Sequence, residues 1–173
     1  MKKIIWLFIF ILLLLSSCQA IELKKLKNRP YTEVELPDSL KKDIEAIIVP
    51  HDCDINIIND CLSLVATKLS FAQKNDIPNH KANCVGYARY AADVINYAFK
   101  VKHINDHAKP VVGHVISFGI NLNKIAPLLV PKKYKNFVKN HDFVETNNYY
   151  IDPTIYEFTL NNPLPLNYSN AKD

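Results

Sequence analysis

The sequence predicts an α+β fold. Apolar residues with helical spacing dominate the chain as far as about residue 100, and segments rich in β-branched and aromatic residues follow at 111–120 and 141–152. Helices that come first and strands that come later are typical of α+β domains. We therefore expect N-terminal helices packed on an antiparallel sheet.

The first twenty residues are predicted to be a targeting segment rather than part of the fold. Lys2 and Lys3 precede twelve apolar residues at 4–15, and a Leu-Ser-Ser sequence then leads to Cys18. Crossing a hydrocarbon core of ~30 Å takes roughly 20 residues. The apolar run is too short for that, so a secretory signal is favoured over a membrane span.

The Leu-Ser-Ser-Cys sequence resembles the lipobox of bacterial lipoproteins. The resemblance implies that residues 1–17 are a signal peptide, and that Cys18 is acylated and holds an exported chain on a membrane of the cell envelope. An ordinary secretory signal with an incidental cysteine is the alternative. We expect 18–33 to be a lipidated tether, 34–160 to be one domain and 161–173 to be a C-terminal tail.

Composition excludes several classes of function. The formal net charge is +4 and becomes +2 once Lys2 and Lys3 are removed, and there is no run of like charges, so nucleic acid is not an expected partner. Three glycines are too few for a Gly-rich phosphate loop. The spacing of cysteines and histidines matches no zinc motif. We expect no metal and no cofactor, and a monomeric chain.

Two N-terminal helices are predicted from start and stop signals. A Pro-Asp-Ser sequence at 37–39 begins the first helix, and Pro50 ends it. Asp54 or Asn56 could cap the second helix.

A third helix is predicted from Cys84 to about Lys100, because Asn83 is a good N-cap residue. Small residues recur on one face, which predicts close packing against a sheet. That face consists of Cys84, Ala88, Ala91, Ile95 and Ala98.

The C-terminal half is predicted to be mostly strands. Residues 111–120 form a strand, and 125–137, which contains two prolines, forms a short turn of helix. Residues 155–160 could add an edge strand before a coil tail.

A β-hairpin is predicted at 141–152. Asn147 and Asn148 form its two-residue turn, since Asn tolerates the positive φ that such a turn requires. This register makes His141 and Asp152 diagonal neighbours on one face, with Cα atoms about 7–8 Å apart. Their side chains can therefore meet.

Three residues then suggest nucleophilic catalysis. A helix N-terminus favours the thiolate of Cys84, and a histidine can take its proton and later return it to a leaving group. A carboxylate that accepts from the second ring nitrogen fixes the orientation of that histidine. Cys84, His141 and Asp152 occur in this order on suitable elements. Asn79 and Asn83 are candidate side-chain donors to an oxyanion, beside the backbone N–H of Cys84.

The chain from about 80 to 158 resembles the transglutaminase-like superfamily. The resemblance is carried by Cys84 at a helix start, His-Asp-Phe-Val-Glu-Thr at 141–146 and Tyr-Ile-Asp-Pro-Thr at 150–154. It implies a papain-like fold in which Cys84 is the nucleophile, His141 the general acid and base, and Asp152 the orienting carboxylate. It further implies a peptidase or amidase acting on peptide, protein or peptidoglycan.

The chain departs from the superfamily at three points. The Gly-x-Cys-Trp sequence and the calcium loop of animal transglutaminases are absent, so cross-linking and calcium dependence are not implied. Asp142 also stands where relatives have a small residue.

Two alternative functions stay open. Cys84 with His114, in a Gly-His-Val sequence, also resembles cell-wall peptidases of the NlpC/P60 type. A non-catalytic envelope lipoprotein could use the same fold to bind a partner. In that case Cys84 would have ordinary reactivity.

Cys53 and Cys61 are a possible disulfide pair in an exported protein. Eight residues of regular helix span about 12 Å, whereas a disulfide requires Cα atoms within roughly 7 Å. The pair would form only if Cys53 lay in the turn before the helix. Cys84 stays unpaired in either case.

Overall fold

The computed structural model confirms the α+β class, with helices packed on a curled antiparallel sheet. No helix in the described part of the chain is both long and apolar enough to cross a membrane. The predicted signal peptide, Cys18 and the edge strand predicted at 155–160 lie outside that part. The structure describes residues 21–117, 119–129, 132, 138–154 and 168–170.

The three predicted helices are present, and the short C-terminal helix begins earlier than expected, at Leu122. The second helix starts with Asp54 itself, and Cys53 occupies the N-cap position. The helices are α1 (Asp38–Ile48), α2 (Asp54–Lys68), α3 (Cys84–Val101) and α4 (Leu122–Leu129).

The main sheet has the strand order β1-β4-β6-β7-β8, and β5 pairs with β4 beside this path. Two short strands, β2 and β3, form a separate parallel pair. The strands are β1 (Ile21–Asn28), β2 (Ser70–Phe71), β3 (Lys81–Ala82), β4 (Lys109–Ser117), β5 (Ile120–Asn121), β6 (His141–Glu145), β7 (Tyr149–Ile151) and β8 (Tyr168–Asn170).

The strand predicted at 111–120 is interrupted. β4 ends at Ser117, and Gly119, with a φ of +75°, reverses the chain so that Ile120 pairs back on Ser117. Glycine adopts this left-handed conformation without steric cost.

The prediction that 18–33 is a tether is wrong for residues 21–28, which form β1 and pair antiparallel with β4. The apolar pattern of the segment is short, because Leu23 is buried between the exposed Glu22 and Lys24 but Leu26 is 51% exposed. Backbone hydrogen bonds, which do not depend on side-chain type, hold the strand in place.

The prediction that 161–173 is a coil tail is also wrong in part. Residues 168–170 form β8, which pairs with β7 in the register Tyr150 with Ser169. A three-residue strand is too short to produce a period-2 signal in the sequence.

The sheet separates a large core from a small one. On the helix side, Val144 and Ile151 pack in the same cluster as Ala88 and Ala91 of α3. The alanines allow α3 to lie close to the sheet, as predicted. On the other side, Leu23, Val111 and Phe143 form a second cluster.

Candidate active site

Cys84 is the first residue of α3, where Asn83 caps the helix. The Asn83 side-chain oxygen accepts hydrogen bonds from the N–H groups of Val85 at 3.0 Å and Gly86 at 3.3 Å. The N–H of Cys84 is therefore not among those that the cap satisfies. The Cys84 side chain is 8% exposed and lies at the positive end of the helix dipole.

The loop before α3 is held against the helix start. The Asn83 N–H donates to the Asn75 side chain at 2.8 Å, and the Asn83 amide donates to the Gln73 carbonyl at 3.1 Å. Gly86 makes this approach possible, because a Cβ there would lie 2.4 Å from Asn75 Oδ1. Contacts of the preceding loop and of the first turn of α3 thus both hold Cys84 in position.

His141 begins β6 and pairs with Gly113 of β4. Its Nε2 lies 2.5 Å from Asp152 Oδ2, which leaves Nδ1 as the nitrogen available to Cys84. Burial disfavours the charged imidazole and by itself would lower the pKa of His141. The charge and hydrogen bond of Asp152 and the interactions with Cys84 outweigh burial and raise this pKa to about 10. The surroundings of the imidazole therefore favour its charged form.

Asp152 follows β7 and has 0% exposure. Its Oδ1 accepts hydrogen bonds from the Thr154 N–H at 3.0 Å and from the Thr154 hydroxyl at 2.7 Å. Its Oδ2 faces His141. The carboxylate is thus held in one orientation by the residue two positions later, a local arrangement that Asp and Thr commonly form.

The hairpin has the predicted register, with Val144 opposite Ile151. The conformation of its turn differs, because the non-glycine residues with positive φ in the described chain are His80 and His103, and not Asn147 or Asn148. Side-chain oxygens hold the turn, and the Thr146 hydroxyl oxygen accepts from the Tyr149 N–H at 3.1 Å. The Asp106 carboxylate accepts from the Asn147 N–H at 2.9 Å.

Cys84 and His141 open on a cavity of about 340 Å³. Its walls are mainly apolar, and Phe71, Val115, Leu122 and Ala126 contribute to them. Asn123 holds two of the surrounding segments together, since it accepts from the Val115 N–H at 2.7 Å and donates to the Val138 carbonyl at 3.0 Å. A cavity of this size can hold a few apolar groups beside the thiol.

Asp142, the departure from the superfamily pattern, is paired with Arg29. The guanidinium donates to both carboxylate oxygens at 2.7 and 2.6 Å, and the Asp142 side chain is 3% exposed. The hydrogen bond to Asp142 raises the pKa of Arg29 against the opposing effect of burial, and the charge of the Asp142 carboxylate adds to the increase.

Arg29 could not be predicted to belong to the site, because it lies in the segment predicted to be a tether. The contact of Thr154 with Asp152 was not predicted either, although a Thr two residues after an Asp is a usable signal.

His114 does not join Cys84. On β4 it lies between Gly113, which pairs with His141, and Val115, which lines the cavity. Successive side chains of a strand point to opposite faces, so His114 points away from the cavity. Its ring lies 2.9 Å from the side-chain amide of Asn121.

The two side chains predicted to donate to an oxyanion make hydrogen bonds to other residues. The Asn79 amide donates to Asp76 at 2.8 Å, and the Asn83 amide donates to Gln73. Of the predicted donors, the backbone N–H of Cys84 has the most suitable position.

The possible disulfide between Cys53 and Cys61 is not present, and both thiols are free. Cys53 is exposed at the N-cap of α2, whereas Cys61 is buried in the core, where burial raises the pKa of its thiol. About two turns of helix separate them, and the backbone of Cys53 at the N-cap is extended.

In the described part of the chain, no group of three or more His, Cys, Asp or Glu side chains is arranged to hold a metal ion. No protein-family profile matches the chain, and neither the curated proteins nor the solved structures include a detectable relative.

Proposed function

We propose that this protein is a cysteine hydrolase that cleaves amide bonds through Cys84, His141 and Asp152. The proposal rests on one observation, the imidazole of His141, which is held by Asp152 and interacts with Cys84. A thiol at a helix start beside a charged imidazole has the two features that favour a thiolate nucleophile.

The reaction takes place in two halves. The Cys84 sulfur attacks the carbonyl carbon, the C–N bond breaks, and the proton on His141 passes to the leaving amine. This leaves a thioester. Water then attacks the thioester carbonyl, its proton passes to His141, and the C–S bond breaks to release a carboxylic acid and the free enzyme.

The oxyanion formed in each half requires hydrogen-bond donors. The backbone N–H of Cys84 is the natural one, because it lies in the first turn of α3 and the Asn83 cap does not use it. Asp152 keeps the imidazole oriented throughout, and Thr154 keeps Asp152 oriented.

We further propose a papain-like core of the transglutaminase-like kind, exported and lipid-anchored at Cys18. A helix that carries the nucleophile and packs on an antiparallel sheet that carries His141 supports this fold. The apolar walls of the cavity favour an uncharged group next to the bond that is cleaved. Peptide, protein or peptidoglycan would supply such a bond.

Site-resolved alkylation tests the proposal. Full-length protein is treated with iodoacetamide over a range of pH, and each cysteine peptide is quantified by mass spectrometry. Cys53, which is free and exposed, serves as the reference thiol in the same sample. We expect Cys84 to react at about pH 6, where an ordinary thiol reacts slowly, and to lose this reactivity in His141→Ala but not in His114→Ala.

The other outcomes are equally informative. Loss of reactivity in His114→Ala alone would favour the NlpC/P60-type mechanism. A Cys84 that never outpaces Cys53 would refute the hydrolase and leave the binding lipoprotein. Release of amine from peptidoglycan or peptides, absent in Cys84→Ser, would then define the substrate.

A further inference from the structure

Exposed apolar side chains are concentrated on one short segment. Of the ten large apolar residues that are exposed in the described part of the chain, five lie between residues 120 and 129, and Leu128 and Leu129 are each 78% exposed. Surface apolar residues that occur singly need no explanation, but a contiguous group does. We call this group the apolar patch; it consists of Ile120, Leu122, Ile125, Leu128 and Leu129.

The apolar patch adjoins the point where the N-terminal segment enters the fold. Ser117 of β4 pairs with Ile21 at the start of β1 and also with Ile120 of the patch. Cys18 is three residues before Ile21, which corresponds to at most about 11 Å of extended chain. A lipid on Cys18 would therefore lie within that distance of the start of β1, beside the strand that also pairs with Ile120.

Exposed lysines lie near the patch, and β1 also carries the exposed Glu22. Lys24 on β1 and Lys124 and Lys132 near α4 are exposed. Lys124 and Lys24 both lie close enough to His114 to lower the pKa of that histidine, in addition to the larger effect of burial. Apolar side chains flanked by lysines are typical of surfaces that lie in the headgroup region of anionic membranes.

We propose that the apolar patch is a membrane-binding surface. It places α4 at the boundary between the headgroups and the acyl chains of an anionic phospholipid bilayer. The predicted anchor at Cys18 would bring the domain to the membrane, and the patch would set its orientation there. Because β1 begins three residues after Cys18, the anchor cannot hold the patch far from the bilayer.

The orientation has a consequence for the substrate, and this step rests on the proposed function. Leu122 belongs both to the patch and to the wall of the cavity that contains Cys84. With the patch on the bilayer, the cavity would open at the membrane surface. The amide bonds within its reach would then be those of membrane-attached peptides or of the polymer next to the membrane.

Quenching by lipid tests the proposal on the full chain. Trp6 is the single tryptophan, so Leu128→Trp in a Trp6→Phe background carries one fluorophore. The protein is reconstituted into vesicles containing phosphatidylglycerol brominated near the headgroup end of its acyl chains. We expect the Leu128→Trp emission to shift to the blue and to lose most of its intensity.

Val49→Trp in the same background is the matched control. Val49 is 72% exposed and accepts a hydrogen bond from Lys102, at the far end of α3 from Cys84. Its emission should be unchanged by the brominated lipid. A second variant, Leu128→Glu with Leu129→Glu, should remove the protection of residues 120–129 from hydrogen exchange on the vesicles.

Equal and weak quenching at both positions would refute the membrane-binding surface. A blue shift that depends on protein concentration without vesicles would instead indicate contact with a second copy, and would refute it as well. Alkylation of Cys84 is measured on the same samples. A failure of the proposed chemistry is thereby distinguished from a failure of the proposed surface.

Discussion

Thr154 donates two hydrogen bonds to one oxygen of Asp152, from its N–H at 3.0 Å and from its hydroxyl at 2.7 Å, and this leaves the other oxygen for His141. The Asp-Pro-Thr sequence thus orients a buried carboxylate through hydrogen bonds between residues two positions apart. That carboxylate in turn orients the imidazole beside Cys84.

Thr154→Val should slow alkylation of Cys84 at about pH 6 by roughly tenfold, because one hydrogen bond to a carboxylate is worth about 1.5 kcal/mol. The backbone N–H still holds Asp152, so the midpoint of unfolding should change little. Thr67→Val is the control, since its hydroxyl donates to the Leu64 carbonyl on the surface of α2. Equal rates of Cys84 alkylation in both variants would show that Thr154 does not orient Asp152.

Asp152→Asn keeps the size of the side chain but removes its charge. We expect amide hydrolysis to fall by about 10²–10⁴-fold, because the histidine loses both its orientation and the stabilisation of its charged form. Initial rates on the substrate found with Cys84→Ser as the blank provide the measurement. A rate within a few-fold of wild type would mean that Asp152 is a structural residue only.

His141 should remain protonated at neutral pH and lose its proton only near pH 10, since Asp152 and Cys84 raise its pKa to about 10 against the effect of burial. Removing the carboxylate in Asp152→Asn takes away a stabilising charge and leaves the burial, so the titration midpoint should move down. NMR of the imidazole protons checks this. His141→Gln identifies the signal among the six histidines.

Arg29→Ala should destabilise the fold by about 3 kcal/mol, because it leaves the buried Asp142 carboxylate without its partner. Urea denaturation measures the free energy of unfolding. Lys68→Ala removes a half-exposed pair with Asp43 and should cost less than about 1 kcal/mol. Similar losses in both variants would show that Arg29 acts only as a surface residue.

Gly113→Ala should also destabilise the protein, by about 1–3 kcal/mol, because of overpacking. The new Cβ would lie 2.3 Å from the Lys24 carbonyl oxygen and 2.5 Å from the Phe143 ring. His141 pairs with Gly113, so alkylation of Cys84 should slow as well. Gly119→Asn has open space around its Cβ and should have the smaller effect on both readings.

Local signals were enough to predict the elements that carry the candidate site. The Asn83 cap predicts the start of α3, and the hairpin register follows from the position of its turn, even though Asn147 and Asn148 do not adopt the expected φ. These features depend on residues that are close in sequence, so a window of a few residues contains the information.

Other features depend on pairing across the chain. The lysine-rich segment that forms β1 has little apolar pattern of its own and becomes a strand because β4 offers its backbone groups. The pairing of Arg29 with Asp142 follows from that placement. Neither could be predicted from the composition of the segment.

The sequence by itself determined the α+β class, the three N-terminal helices and a hairpin that aligns His141 with Asp152, because helix caps, turns and side-chain periodicity act locally. Only the tertiary structure decided that His141 rather than His114 meets Cys84. That choice depends on which residues of β4 line the cavity that contains Cys84, and strand pairing over long sequence separations sets it.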